Sequence, residues 1–272
     1  MTTLPSFLCG GIDAGEWPKM KAKSFARALY LSRANNMVLE AMAPCYDPSS
    51  SSGYNDKNLN QIYKELSDFI KPILALKDLW VTLHLTNGND ETLTKFGAMN
   101  VANIIVGGLV RDFGANSNII ICPVAETNNE INERQFVQYC IDNWANKGGH
   151  LIFNGTGRPT SLPPSYSLLD YHSQSRNDCG PKIGRSTLID TDNGPMINYL
   201  KYGAPAGKYW NPDRVRDLAI ACKQVGNSLN LYSCESSSNN GYALDILGEV
   251  YNVRKKPNWW DKLMMEIKLW KY

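Results

Sequence analysis

Short apolar runs that alternate with amphipathic helical stretches are the feature that most constrains this chain. The first four runs are Ser6–Asp13, Met37–Met42, Leu79–Leu85 and Asn118–Ala125. Strands so uniformly apolar are buried on both faces, which is the condition of parallel strands covered by helices. Between the second and third runs, Leu59, Ile62, Tyr63, Leu66, Phe69, Ile70, Ile73 and Leu74 recur at i, i+3, i+4 spacing, and Asn58 with Gln61 stands where a helix cap and its partner would stand. Asn132 and Gln135 repeat that arrangement after the fourth run, ahead of an apolar face of Phe136, Tyr139, Cys140 and Trp144 that Gly148-Gly149 ends.

The second half is less regular. Runs at His150–Phe153, Ser167–His172, Ser186–Asp190 and Leu229–Cys234 predict strands five to eight. The Pro- and Gly-rich stretch between strands five and six, and the link between six and seven, carry little helix signal, so shortened helices are expected there. Helix pattern returns at Pro212, at the first helical position, and runs through Val215, Leu218, Ala219 and Cys222 to Gly226. Two final helices are expected over Ala243–Val250 and Trp259–Trp270. Eight strands in this alternation predict a single (β/α)8 barrel over residues 1–272, with a Trp-rich C-terminal helix, 257–272, packed on it. An open doubly wound sheet is the competing architecture. The dinucleotide-binding glycine turn is absent, because Gly10-Gly11 lies inside the first strand.

Charge and cysteine content narrow the function. The 272 residues carry a formal net charge of +2 with no basic tail, so neither nucleic acid nor a membrane is expected as a partner. No stretch is long and apolar enough to span a bilayer, and the first residues lack the basic start of a secretory signal. Synthesis in the cytoplasm is expected, with release by lysis or incorporation into a virion as routes to an extracellular substrate. The seven cysteines are odd in number, contain no C-x-x-C and fall largely in apolar runs. All seven are expected as free thiols, without a zinc site or other cofactor.

In such barrels the active site lies at the C-terminal ends of the strands. Reading off the strand ends yields Asp13, Glu40, His84, Glu126, Asn154, Asp170 with His172, Asp190 with Asp192, and Glu235. A ring of carboxylates with few basic neighbours suits glycoside hydrolysis, in which one carboxyl donates a proton and another acts as nucleophile or base. Glu126 is the preferred proton donor, since burial beside the apolar Cys122–Ala125 favours its neutral form. Asp190 is the preferred second carboxylate, with Asp192 and Glu235 behind it. Asp13, Glu40, His84, Asn128, Asn154, Asp170, His172, Asp192 and Tyr232 are expected to bind substrate or tune proton affinities. Tyr166, Tyr171, Tyr209 and Trp210 offer flat faces for sugar rings. His150 begins a strand and is expected to be structural. Trp259, Trp260 and Trp270 have helical spacing and read as core or interface.

Glu126 at the end of strand four resembles the acid/base position of the large barrel clan of retaining glycoside hydrolases, which includes cellulase-like and mannanase-like enzymes. The resemblance implies a carbohydrate substrate and a two-carboxylate mechanism. Two positions depart from that clan's pattern: Ala125 stands where Asn usually precedes the acid/base Glu, and strand seven ends in Asp190-Thr-Asp192 where a nucleophilic Glu is usual. Two other functions fit the same residues. One is a metal-dependent barrel enzyme, a sugar isomerase or phosphoester hydrolase, with Glu126, Asp170, His172, Asp190 and Glu235 as ligands. The other is a silent carbohydrate-binding or receptor-binding barrel.

Overall fold

The structure, a computed structural model, describes residues 2–13, 17, 21–42, 58–86, 91–125, 131–154, 162–172, 187–190, 212–232 and 241–272. The side chains of 12, 13, 91, 92, 94, 131, 132, 171, 172, 187–190, 232 and 241 are not among the described ones. Eight strands close into one parallel barrel in sequence order, β1 (Cys9–Asp13), β2 (Asn36–Glu40), β3 (Trp80–His84), β4 (Ile119–Cys122), β5 (His150–Asn154), β6 (Leu168–His172), β7 (Thr187–Asp190) and β8 (Ser228–Tyr232). β8 returns to β1 with Gly10 opposite Asn230, which completes the circle. The open-sheet alternative is thereby excluded. Every strand lies within two or three residues of the apolar run that predicted it.

The helices are α1 (Ala22–Ser32), α2 (Leu59–Leu74), α3 (Glu91–Phe96), α4 (Ala98–Val101), α5 (Gly107–Phe113), α6 (Ile131–Asn143), α7 (Pro212–Gln224), α8 (Gly241–Tyr251) and α9 (Trp259–Trp270). A π-helical turn, Ala102–Val106, joins α4 to α5. The expected cap of α2 is present as a capping box: the Gln61 amide donates to the Asn58 side chain, and the Asn58 amide donates back to Gln61. The matching expectation at Asn132 fails. α6 already begins at Ile131, so Asn132 sits in the first helical turn. Between β5 and β6 the described residues, 162–167, contain no helix; the β6–β7 link lies outside the described residues.

Alternation along each strand divides the apolar residues into two sets. Leu8, Val38, Trp80, Ile120, Cys122, Ile152 and Leu168 pack together inside the barrel. Met37, Leu39, Val81, Leu83, Ile119, Ile121 and Leu151 belong to the larger cluster between strands and helices. Gly10 exists for close approach, since a Cβ there would stand 1.6 Å from the Asn36 carbonyl oxygen. Cys9, Cys122, Cys140 and Cys222 are buried free thiols, as expected. Burial pushes the Cys9 thiol up to about 12, which keeps it protonated and inert. Cys45, Cys179 and Cys234 lie outside the described residues.

The C-terminal segment is tied to α1. Arg254 donates to the carbonyls of Leu29, Tyr30 and Ala34 at 2.8–2.9 Å, covering the acceptors that the end of α1 leaves open. Arg27 grips Glu266 of α9 through two bonds of 2.6 and 2.7 Å. α9 buries Met265 and Leu269, but Trp259, Trp260 and Trp270 are exposed. Of the two readings of these tryptophans, core or interface, the core one is corrected: they occupy the face of α9 turned away from the barrel.

Candidate active site

Three buried polar residues stand toward the C-terminal end of the strands. His84 closes β3, Asn154 closes β5, and Asp170 stands two residues before the end of β6. All three are buried, with His84 at 5% exposure and Asp170 at 2%. Asn154 and Asp170 are direct neighbours in the β5–β6 register. The Asn154 side-chain amide donates to Asp170 Oδ2 at 3.0 Å. His84 Nε2 lies 3.1 Å from the same oxygen, but its N–H is not aligned as a hydrogen bond. The contact is therefore a close electrostatic one, with the directed bond supplied by Asn154. The Asp170 carboxyl lies in a buried interior, where a charge acts over longer range than in water. Cys122, on β4, feels it: burial first and the Asp170 charge second hold its thiol well above the ordinary range.

Asn154, Asp170 and His84 are thus three expected site residues that the fold brings together. Glu40 closes β2 opposite His84 in the register and is half-buried. Its carbonyl accepts the indole N–H of the buried Trp17 at 3.3 Å, which fixes the end of β2. Asp13, by contrast, stands in the register row of Leu39, and not in that of Glu40 and His84. His172 and Asp190 face each other in the β6–β7 register, and Tyr232 ends β8 beside Ile12. The side chains of Asp13, His172, Asp190 and Tyr232 are not described. Glu126, Asn128, Asp192 and Glu235 lie outside the described residues, as do Tyr209 and Trp210.

The approach to Glu126 is nevertheless built. β4 ends at Cys122, and the chain then holds to the extension of β3: Leu85 N–H donates to the Cys122 carbonyl at 2.9 Å, and Ala125 N–H to the Thr86 carbonyl at 2.8 Å. Thr86 Oγ1 donates to the Pro123 carbonyl at 3.1 Å. These bonds carry the backbone up to residue 125 beside the end of β3, the side of the mouth where His84 stands. Thr86 was not among the expected site residues; its signal was its place two residues after His84, where a hydroxyl can bond a neighbouring loop.

Two sequence expectations concern the opposite end. His150 begins β5 and is structural, as expected. Its Nε2 lies 2.6 Å from the Thr2 carbonyl, an acceptor only, so Nε2 carries the proton and Nδ1 accepts from Ser167 Oγ at 3.2 Å. Tyr166, expected near the sugar face, is corrected. It precedes β6 and packs edge-on against Phe153 at 5.3 Å, at the N-terminal end of its strand.

Among the described residues no group of three or more His, Cys, Asp or Glu side chains could hold a metal ion. Of the five ligands in the metal-dependent alternative, only the Asp170 side chain is described.

No protein-family model matches the chain, and no curated protein matches it either. Solved structures do resemble it. A glycoside hydrolase family 5 protein from Bacteroides vulgatus superposes with a TM-score of 0.56 at 11% identity, over 83% of this chain and 58% of the other. The present chain thus spans less than two thirds of that protein. A family 5 enzyme from Prevotella bryantii gives 0.57 at 12% identity, over 93% of this chain and 100% of its own. A mutant of that enzyme in complex with a xyloglucan tetradecasaccharide gives 0.50 at 12% identity, over 85% and 86%. At such identities the likeness is one of fold: this chain has the eight-stranded barrel on which family 5 glycoside hydrolases are built.

Proposed function

We propose that this protein hydrolyses O-glycosidic bonds of a poly- or oligosaccharide by two-carboxylate catalysis at the C-terminal mouth of its barrel. The observation that carries the reading is the buried His84–Asp170–Asn154 cluster, which holds a carboxylate at the strand ends where such barrels place their chemistry. Glu126 is the proton donor; in support, the Ala125–Thr86 bond holds the preceding residue beside the end of β3. When ionised, Asp170 raises the proton affinity of other carboxyls in the same mouth, which favours a neutral Glu126. Asp190 is the second carboxylate, with Asp192 and Glu235 as its rivals. Glu40, His84 and Asn154 orient substrate hydroxyls or the carboxylates. The xyloglucan fragment held by one structural neighbour makes xyloglucan the first substrate to try.

The test compares Glu126→Gln with wild type on two leaving groups. A general acid contributes about 10²–10⁴-fold, so hydrolysis of unactivated glycosides should fall by that range. Substrates whose leaving group needs no protonation should lose far less. Full activity of Glu126→Gln on unactivated glycosides would sink the assignment. Activity lost on exhaustive chelation and restored by one divalent ion would replace it with the metal-dependent reading. Glycan binding with no turnover on any leaving group would replace it with the binding-module reading.

A further inference from the structure

The apolar face of α9 holds five of the ten large hydrophobics exposed among the described residues, and the proposed chemistry leaves it unused. Trp259, Trp260, Leu263, Ile267 and Trp270 fall within one side of the helix, opposite the buried Met265 and Leu269. Trp259 is 73% exposed, Trp260 59% and Trp270 86%. The helix does not depend on a partner for its form. A capping box joins Asn258 and Asp261, and Arg27 and Arg254 lash the segment to α1. The face is therefore presented rigidly. Its chemistry argues against a sugar platform: Leu263 and Ile267 share the face with the indoles and have no flat side for a pyranose ring.

Charge says what the face meets. The chain's +2 is unevenly spread. Residues 254–271 hold six basic side chains and two acidic ones, an excess larger than that of the whole chain, so the remainder is net acidic. The basic character continues past the helix. Tyr272, just beyond α9, lines a groove with Lys21, Lys23, Arg27 and Lys71, in which Asp68 is the one acidic lining residue described. In a symmetric pairing of two copies through this face these cations would meet cations. Against anionic headgroups they are complementary, and indoles and aliphatic side chains rimmed by lysines suit the boundary between headgroups and acyl chains. No described helix is long and apolar enough to cross a membrane, so the contact would be made from the surface. We propose that the exposed face of α9, with the adjoining basic groove, docks the barrel on an anionic phospholipid bilayer. This goes beyond the proposed hydrolase and does not depend on it.

The experiment is vesicle co-sedimentation of the full chain, with tryptophan emission as a second readout. Vesicles of phosphatidylcholine alone are compared with vesicles containing phosphatidylglycerol. Binding should be at least about tenfold tighter on the anionic vesicles and weaken in high salt, since each basic residue at the surface adds several-fold. Emission should shift to the blue on binding. Trp259→Ser with Trp270→Ser should abolish the shift and cut binding by about tenfold or more. Lys23→Glu with Lys271→Glu should weaken binding to anionic vesicles only. All four positions lie on the surface, so an unchanged melting temperature checks that each variant folds. No binding to either vesicle overturns the proposal, as does equal binding to both. So does a dimer in solution that the tryptophan variant dissolves while vesicles recruit nothing, which would make the face a self-interface.

Discussion

The two ends of the barrel treat their polar residues differently. At the N-terminal end several polar side chains are bonded to backbone, although Asn36 accepts from the Thr82 hydroxyl. Asn35 accepts from Cys9 N–H and donates to the Phe7 carbonyl. Ser228 accepts from Leu8 N–H, Asn118 donates to the Leu79 carbonyl, and His150 donates to Thr2. These side chains satisfy main-chain groups that strand starts leave open, which is scaffold work. At the C-terminal end, Asn154, Asp170 and His84 meet one another. Side chains that meet one another in a mouth can be redirected by a substrate; side chains that satisfy backbone cannot without unfolding it. The contrast separates positions where mutation should cost stability from positions where it should cost activity.

The largest expected effect lies on the scaffold side. Gly10→Ala forces a methyl group into the Asn36 carbonyl, where neither strand can give way without breaking the β1–β2 ladder. It should yield insoluble or unfolded protein, and a folded variant with a near-native melting temperature would show that the barrel wall is softer than its geometry implies.

Next comes the proposed catalytic pair. Asp190→Asn should abolish turnover for good and poor leaving groups alike, because a nucleophile or base serves every substrate. If Asp190→Asn is nearly wild type while Glu235→Gln is inactive, the second carboxylate moves to the β8 side.

The comparison itself is tested by pairing Asp170→Asn with Asn35→Ala. Asp170→Asn removes the buried charge and should lower turnover with a modest change in melting temperature. Asn35→Ala leaves Cys9 N–H and the Phe7 carbonyl without their partner, a loss of about 1–3 kcal/mol of stability for each buried group stranded. Its turnover at a temperature where it is folded should be unchanged. The reverse pattern would break the division between the two ends.

The smallest effect is a pH dependence. Burial draws the His150 imidazole below its ordinary value near 6.5, against the raising effect of the Thr2 carbonyl. The unfolded chain then binds the proton more readily than the folded one. Stability contributed by neutral His150 is present above about pH 6.5 and declines as pH falls below it. His150→Gln should flatten that part of the stability curve, measured by denaturant titration across pH 5–8. A slope unchanged by the substitution would assign it to another group.

Much of this architecture was legible in the chain because local rules and tertiary demands coincide. A strand buried on both faces must be apolar at both parities, so the eight runs stood out, and Asn58 with Gln61 marked the start of α2 by capping chemistry alone. Asn132 misled because a cap pattern is equally compatible with the first helical turn. Tyr166 misled because the sequence shows nearness to a strand without showing at which end the residue falls.

The sequence by itself determined the alternation of elements, the burial of Cys9, Cys122, Cys140 and Cys222 in apolar runs, and the set of polar residues at the strand ends, because each depends on neighbours in the chain. Only the tertiary structure decided which of those residues meet. His84, Asn154 and Asp170 are separated by up to 86 positions, and what brings them within 3.1 Å is the register of strands around a closed barrel. Only it decided that the tryptophans of α9 face outward, since a helical stripe records that one side is apolar and not which side the barrel covers. Periodicity is a property of the chain, whereas the choice of partner is a property of closure.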